Sequence, residues 1–268
     1  PESRPVPTAR NNKFCIRWLI LCLAALLFQV DAWASKTVVL AASDSPPLHS
    51  PKMKHNGALS HIVERIFTKA GYTIDLQFMP WARAMASARS GAVDGMIGVW
   101  HSPERAQFLY FSDPIIAQQM AFYRRADNPI RYSSYSDLAD QGYVLANVRG
   151  YVYPPPLRGL DFNVQWVNQP QQYLKMLLGR RVDLVLFHEE YLLYLMSQPE
   201  YQDSAELVVR LGNVVDMVDM HLVLSRQRTG SQALLEEFNQ SLLQLKRSGE
   251  ITNLLALHGL DTVVQVDE

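Results

Sequence analysis

The chain has 268 residues, with 25 Lys and Arg against 26 Asp and Glu and a formal net charge of −1. That balance, with no basic run interleaved with aromatics, excludes the electrostatic footprint of a nucleic-acid binder. Both cysteines, Cys15 and Cys22, fall within the first 34 residues, so the remainder has no disulfide and no thiol to ligate metal or act as nucleophile.

Residues 1–34 read as a secretory signal peptide. Arg4, Arg10, Lys13 and Arg17 precede the apolar run from Trp18 to Val30, and Ala32-Trp33-Ala34 gives a small-x-small cleavage pattern before Ser35. An uncleaved anchor is the alternative. Cys22 follows Ile20 and Leu21 rather than small residues, which argues against a lipoprotein. Removing this leader takes four basic and two acidic residues, leaving modest negative charge, and the rest suits one or two domains with a real core. The expected location is the periplasm.

Thr37–Ala42, β-branched and apolar, predicts a buried strand that ends in the turn Ser43-Asp44-Ser45-Pro46-Pro47. Asp44 and Ser43 either face a ligand or cap that turn. Apolar positions at Ile62, Val63, Ile66, Phe67 and Ala70 predict a helix with Ser60 as cap and Gly71 as stop, followed by a strand over 73–78. A second helix starts at Met79-Pro80-Trp81, with proline in its first turn. The stretch 92–114, AVDGMIGVWHSPERAQFLYFSDP, is an apolar run that stops at a polar turn carrying Arg105. Strands that end abruptly at donor-rich turns are how α/β folds present ligand sites. The always-charged planar fork of Arg105 suits a carboxylate or phosphate, yet an arginine beside Glu104 on a turn is also the pattern of a surface ion pair.

Beyond it, Ile115–Gln119 and Asp216–Met220 are expected to be connections. Strands are expected at 120–125, 143–146, 162–167, 182–187 and 220–225, and helices at 135–139, 171–178 and 191–196. A closing amphipathic helix carries Leu235, Phe238, Leu242 and Leu245. Strands alternating with helices predict an α/β fold with parallel sheets. No metal site stands out: His55 and His61 lack a convincing carboxylate or third histidine. No nucleotide-binding glycine motif occurs, and no cofactor is expected.

The stretch VDGMIGVWHSPERAQFLYFSDP resembles the signature of the family 3 extracellular solute-binding proteins. Asp94, Gly98, Glu104, Arg105, Phe111, Ser112, Asp113 and Pro114 match, and the resemblance runs from about Thr37 to about Leu260. It implies a two-lobed periplasmic binding protein of the type II, Venus-flytrap kind with two hinge crossovers. Residues 35–115 and 220–268 would form one lobe and 116–219 the other. It implies that Arg105 meets a ligand carboxylate as the lobes close, with Gly98, Trp100, Ser102, Asp44, Trp81 and Gly150 around it and Gly150 offering backbone donors. Arg83 is a weaker candidate, equally a solvated residue, and His101 reads rather as a solvated turn residue than as a donor.

Several positions depart from the family pattern. Where amino acid binders carry an acid for the ligand ammonium, this chain has His188, with Glu189 next to it. Either Glu189 takes over, or the ligand is not a standard α-amino acid. Trp100 stands where threonine is usual, Leu48 where an aromatic is usual, and His61 where aspartate is common, a position read as structural. The resemblance implies a monomeric receptor that delivers a small polar solute to an ABC permease of the inner membrane, with no catalytic residue. The alternatives are a sensory receptor, or a dehydratase-like enzyme with Glu189 as general acid; with no further domain in the sequence, a free receptor is preferred.

Overall fold

In the computed structural model the described residues are 36–260. The signal-peptide expectation for 1–34 lies outside them. Nine strands join by hydrogen bonds, eight along one continuous path and the ninth added at its side.

The first group begins with β1 (Lys36–Ala42), whose residues Leu40, Ala41 and Ala42 are fully buried, on both faces of the sheet. It pairs in parallel with β2 (Tyr72–Phe78) and β3 (Gly95–Val99). Helix α1 (Ala58–Lys69) and helix α2 (Trp81–Ser90) make the crossovers. The cap of α1 is Gly57, not Ser60, which lies inside the helix. Gly57 has φ 97 and approaches Leu48 so closely that an added Cβ would lie 2.6 Å from the Leu48 carbonyl oxygen, a position only glycine fills without strain. Phe67 of α1 packs against Phe238 with ring centroids 5.0 Å apart, and burying such a side chain contributes about 1.5–3 kcal/mol.

After the short helix α3 (Pro103–Ala106) and β4 (Leu109–Phe111), β5 (Ile116–Arg125) enters the second group. This contains helix α4 (Tyr135–Asp140), β6 (Val144–Val148), β7 (Asn163–Val167), helix α5 (Gln171–Leu178), β8 (Leu184–His188) and helix α6 (Glu189–Met196). Strands β6, β7 and β8 run parallel. The triple proline after β6 leads only to a short 3₁₀ turn at Pro155–Leu157, because proline removes donors and fixes φ.

The two expected connections, Ile115–Gln119 and Asp216–Met220, lie along strands β5 and β9 (Val208–Ser225). Strand β9 is 18 residues long: its residues 208–220 pair antiparallel with β5, and its end pairs with β3 and β4. The partner changes at Met220, which faces Ile116, and His221, which faces Val99. Along β5 the register shifts between Met120, opposite Asp216, and Phe122, opposite Leu211. Gly212 in that bulge has φ 73, and an added Cβ would lie 2.2 Å from the Tyr132 hydroxyl. The chain ends its described part with helices α7 (Ser231–Arg247) and α8 (Glu250–Leu257) on the first group. Among the described residues no helix is long and apolar enough to cross a membrane.

Candidate functional site

The strand ends of the two groups face each other across a small cavity. The first group lines it with Ser43, Ser45, His49, Trp81, Gly98, Trp100 and Arg105; the second contributes Gln118, Tyr151, Val152 and His188.

Arg105 is set in place by local structure. Ser102 caps α3, its Oγ accepting the Arg105 backbone N–H at 3.2 Å, a typical Ncap bond. The guanidinium then turns inward, and Arg105 is only 5% exposed. Nη1 donates to the Trp100 carbonyl at 3.0 Å, and Nη2 donates across the cavity to the Gly150 carbonyl at 3.1 Å. The Trp81 ring lies 5.1 Å beneath it, a cation–π placement. Burial lowers the Arg105 pKa to about 10, so it keeps its charge at neutral pH. Among the described residues it has no carboxylate in ion-pair contact. A buried cation held only by carbonyls is incompletely compensated; the remaining N–H groups can take an anion.

His49 is fixed by the turn after β1. The backbones of Ser45 and His49 bond each other both ways, at 2.7 and 3.0 Å, and His49 Nδ1 lies 2.5 Å from the Ser43 carbonyl. A carbonyl only accepts, so Nδ1 carries the proton and Nε2 is an acceptor. That Nε2 rests against Gly98, where φ is 71 and a Cβ would come within 2.7 Å of it. Gly98 lies in the register shift of β3 against β9, which turns the following residues inward. His188 closes the opposite wall, its ring edge-on to Trp100 at 5.1 Å. Burial, with His49 nearby, lowers its pKa to about 3, and burial lowers that of His49 too. Both imidazoles are therefore neutral at neutral pH. His188 Nδ1 is buried without a hydrogen-bond partner.

Of the residues singled out from sequence, the structure brings Ser43, Trp81, Gly98, Trp100, Arg105 and His188 to this cavity. The others stand elsewhere or act differently. Ser102 serves as the helix cap. Gly150, with φ 83, offers its carbonyl to Arg105 and to Trp81 Nε1 at 3.2 Å; it accepts where donors were expected, because no helix starts there. Asp44 lines a separate opening past Trp81 and Tyr151. Glu189 does not take over from His188: it starts α6 on the outside, 3.9 Å from exposed Arg210. Arg83 and His101 are exposed.

Sequence reading missed His49, Ser45, Gln118, Tyr151, Val152 and Met220. Gln118 carried a signal: it is an uncharged polar residue, 2% exposed, in the buried strand IAQQMAF. Its Nε2 donates to Glu190 Oε2 at 3.3 Å, and burial raises the Glu190 pKa. His49 and Tyr151 lie in irregular segments with no pattern to mark them.

The other matched positions of the 92–114 stretch hold the frame. Asp94 accepts from Val39 N at 2.8 Å and from Arg228 Nε at 2.7 Å. Ser112 Oγ accepts from Leu222 N at 3.0 Å, and Asp113 N donates to Asn239 Oδ1 at 3.0 Å. Among the described residues no group of three or more His, Cys, Asp or Glu is arranged to hold a metal ion.

Comparison with known proteins bears on this geometry. The description bacterial extracellular solute-binding proteins, family 3, matches residues 37–259. No curated protein sequence matches at a significant level. Among solved structures, a histidine kinase sensor domain with similarity to periplasmic binding proteins is 20% identical, covering 87% of this chain and 99% of its own, with a TM-score of 0.74. The ligand-binding core of GluR0 from Nostoc punctiforme, in complex with L-glutamate, is 22% identical over 83% of this chain and 99% of its own, at TM-score 0.69. The amino acid ABC transporter substrate-binding protein AbpA from Streptococcus pneumoniae, bound to L-arginine, is 19% identical over 85% and 97%, also at 0.69. At such identities the likeness is one of fold, while the family match spans nearly all of the described residues. The chain thus belongs to the bacterial extracellular solute-binding proteins of family 3.

Proposed function

We propose that this chain is a periplasmic receptor that captures a small carboxylate-bearing solute between two lobes, 35–115 with 220–268 and 116–219, and delivers it to an ABC importer. The observation that carries this reading is Arg105: buried, charged, and without a carboxylate partner of its own. A ligand carboxylate would supply the missing anion, and charge-assisted bidentate bonds are the strong kind. Closure would bring Gln118, Tyr151 and His188 against the same guest.

The cavity also limits what that solute carries. Among the described residues Arg105 is the one formally charged side chain lining it, and His49 and His188 present neutral rings. A free ammonium would find no carboxylate there and would be desolvated without compensation. The favoured ligand is therefore an organic acid or amino acid relative whose nitrogen is absent or acylated. Calorimetric titration of the protein with paired acids tests this: an acid should bind more tightly than the α-amino acid of the same skeleton. Tighter binding of the amino acid would overturn it.

A second reading, a sensory receptor passing occupancy to a membrane partner, is favoured by the likeness to the histidine kinase sensor domain. Genes for a permease beside this one would favour import, and a neighbouring kinase gene would favour sensing. Catalysis is disfavoured because Glu189, the acid it requires, lies away from the cavity.

A further inference from the structure

Among the described residues, Gln118 is the one side-chain amide in the walls of the Arg105 cavity, and its two ends are not interchangeable there. It stands on β5 opposite Val218 of β9, fully buried, and its Nε2 donates to Glu190 Oε2 at 3.3 Å. Glu190 is itself buried in the first turn of α6, and the backbone N–H groups of Gln119 and of Glu190 also donate to its carboxyl group. A carboxyl group met by N–H donors on every side acts as the acceptor. The Gln118 amide is therefore held with its nitrogen toward α6, and its oxygen is the end left for the cavity.

The opposite wall repeats the pattern. His49 commits Nδ1 to the Ser43 carbonyl, which leaves Nε2 as an acceptor. Arg105, in contrast, only donates. Around a carboxylate bonded to Arg105, the fixed groups on both sides thus call for a hydrogen and offer none. A neutral O–H on the guest supplies it; an ammonium supplies it only with an uncompensated charge, and a bare CH or an ether supplies nothing. The cavity lies between two groups of strands, so its width follows their separation, whereas these orientations are fixed within each group.

We propose that Gln118 determines the specificity of this site by selecting a hydroxy acid, whose hydroxyl, on the carbon beside the carboxylate, donates to Gln118 Oε1 while Arg105 holds the carboxylate. This rests on the carboxylate reading above and narrows it from acids in general to 2-hydroxy acids. Glu190 is a positioning residue: it meets the guest only through Gln118, by keeping the amide from turning over.

The test is calorimetry on the full chain with propanoate, each enantiomer of 2-hydroxypropanoate, and 2-methoxypropanoate. The better enantiomer of the hydroxy acid should bind about tenfold or more tighter than propanoate, and the methoxy acid, which has the oxygen without the hydrogen, no tighter than propanoate. Gln118→Met should bring the hydroxy acid to within about twofold of propanoate. In Glu190→Gln the backbone donors claim the new amide oxygen, so its nitrogen faces Gln118 and turns that amide over. The methoxy acid should then gain on propanoate, whereas disturbed packing would weaken both alike; no gain would overturn the positioning role. Acids that bind through Arg105, as judged by loss in Arg105→Ala, but with no preference for the hydroxyl, would overturn the selection and leave the carboxylate reading standing. Failure of every acid to bind would remove both. The series on the unaltered protein decides the selection even if neither variant folds.

Discussion

The two walls of the cavity are built to different standards. On the wall from the first group, polar atoms are tied down: His49 Nδ1 to Ser43, Ser102 Oγ to the Arg105 backbone, Arg105 Nη1 to Trp100. On the wall from the second group, His188 Nδ1 is buried and unmatched. A preorganised wall costs little to bind against, whereas unmatched atoms discriminate between guests that complete them and guests that do not. On the proposed reading, anchorage would belong to one side and selectivity to the other.

The sharpest way to break this contrast is to remove the anchor. Arg105→Ala should weaken binding of any carboxylate ligand by about 3 kcal/mol or more, over a hundredfold in Kd, the scale for stripping one partner from a buried ion pair. Unchanged affinity by calorimetry would end the assignment.

Acid probes both walls together. The rings of His49 and His188 are held neutral, with His188 at about 3 against an ordinary 6.5. Because the folded values are depressed, the unfolded chain takes up protons first. Stability is therefore complete above about pH 6.5 and is lost as pH falls toward the folded values. For His188 alone the loss by pH 5 should be about 2 kcal/mol in urea unfolding, and His188→Asn should flatten the profile. His61, whose ring Nδ1 lies 3.2 Å from His258 Nε2 and which burial and cationic neighbours lower to about 4, adds a loss of the same sign away from the cavity.

A smaller effect concerns how firmly the first wall is set. Gly98→Ala would place a methyl group 2.7 Å from His49 Nε2 at φ 71, costing roughly 1–2 kcal/mol of stability. Ligand affinity should fall with it as His49 is displaced, which paired melting and binding measurements would show. The smallest expected change is Glu189→Gln. With Glu189 outside the cavity and 3.9 Å from exposed Arg210, binding and stability should each move by less than about 0.5 kcal/mol. A larger shift in affinity would return Glu189 to the site.

The same contrast governs what could be read beforehand. Periodicity located most helices and strands, and the 92–114 stretch pointed to Arg105 and Gly98. Yet most of that stretch turned out to hold the frame together, as Asp94, Ser112 and Asp113 show. The second wall was hard to read, because Tyr151 lies in a proline-rich irregular segment and Gln118 in a stretch expected to be a connection. The supposed connections Ile115–Gln119 and Asp216–Met220 carry polar residues, as strands do where they leave one sheet and join another. Their pairing is set by distant partners, which no local pattern reveals.

That pairing has a mechanical consequence. Since β9 is one continuous ribbon shared by both sheets, any swing of one half against the other must be absorbed as torsion within it, not by a slack tether. The segment at Met220 and His221, where β9 changes partner, is then where that torsion would fall, and its stiffness would set how far apart the two groups rest.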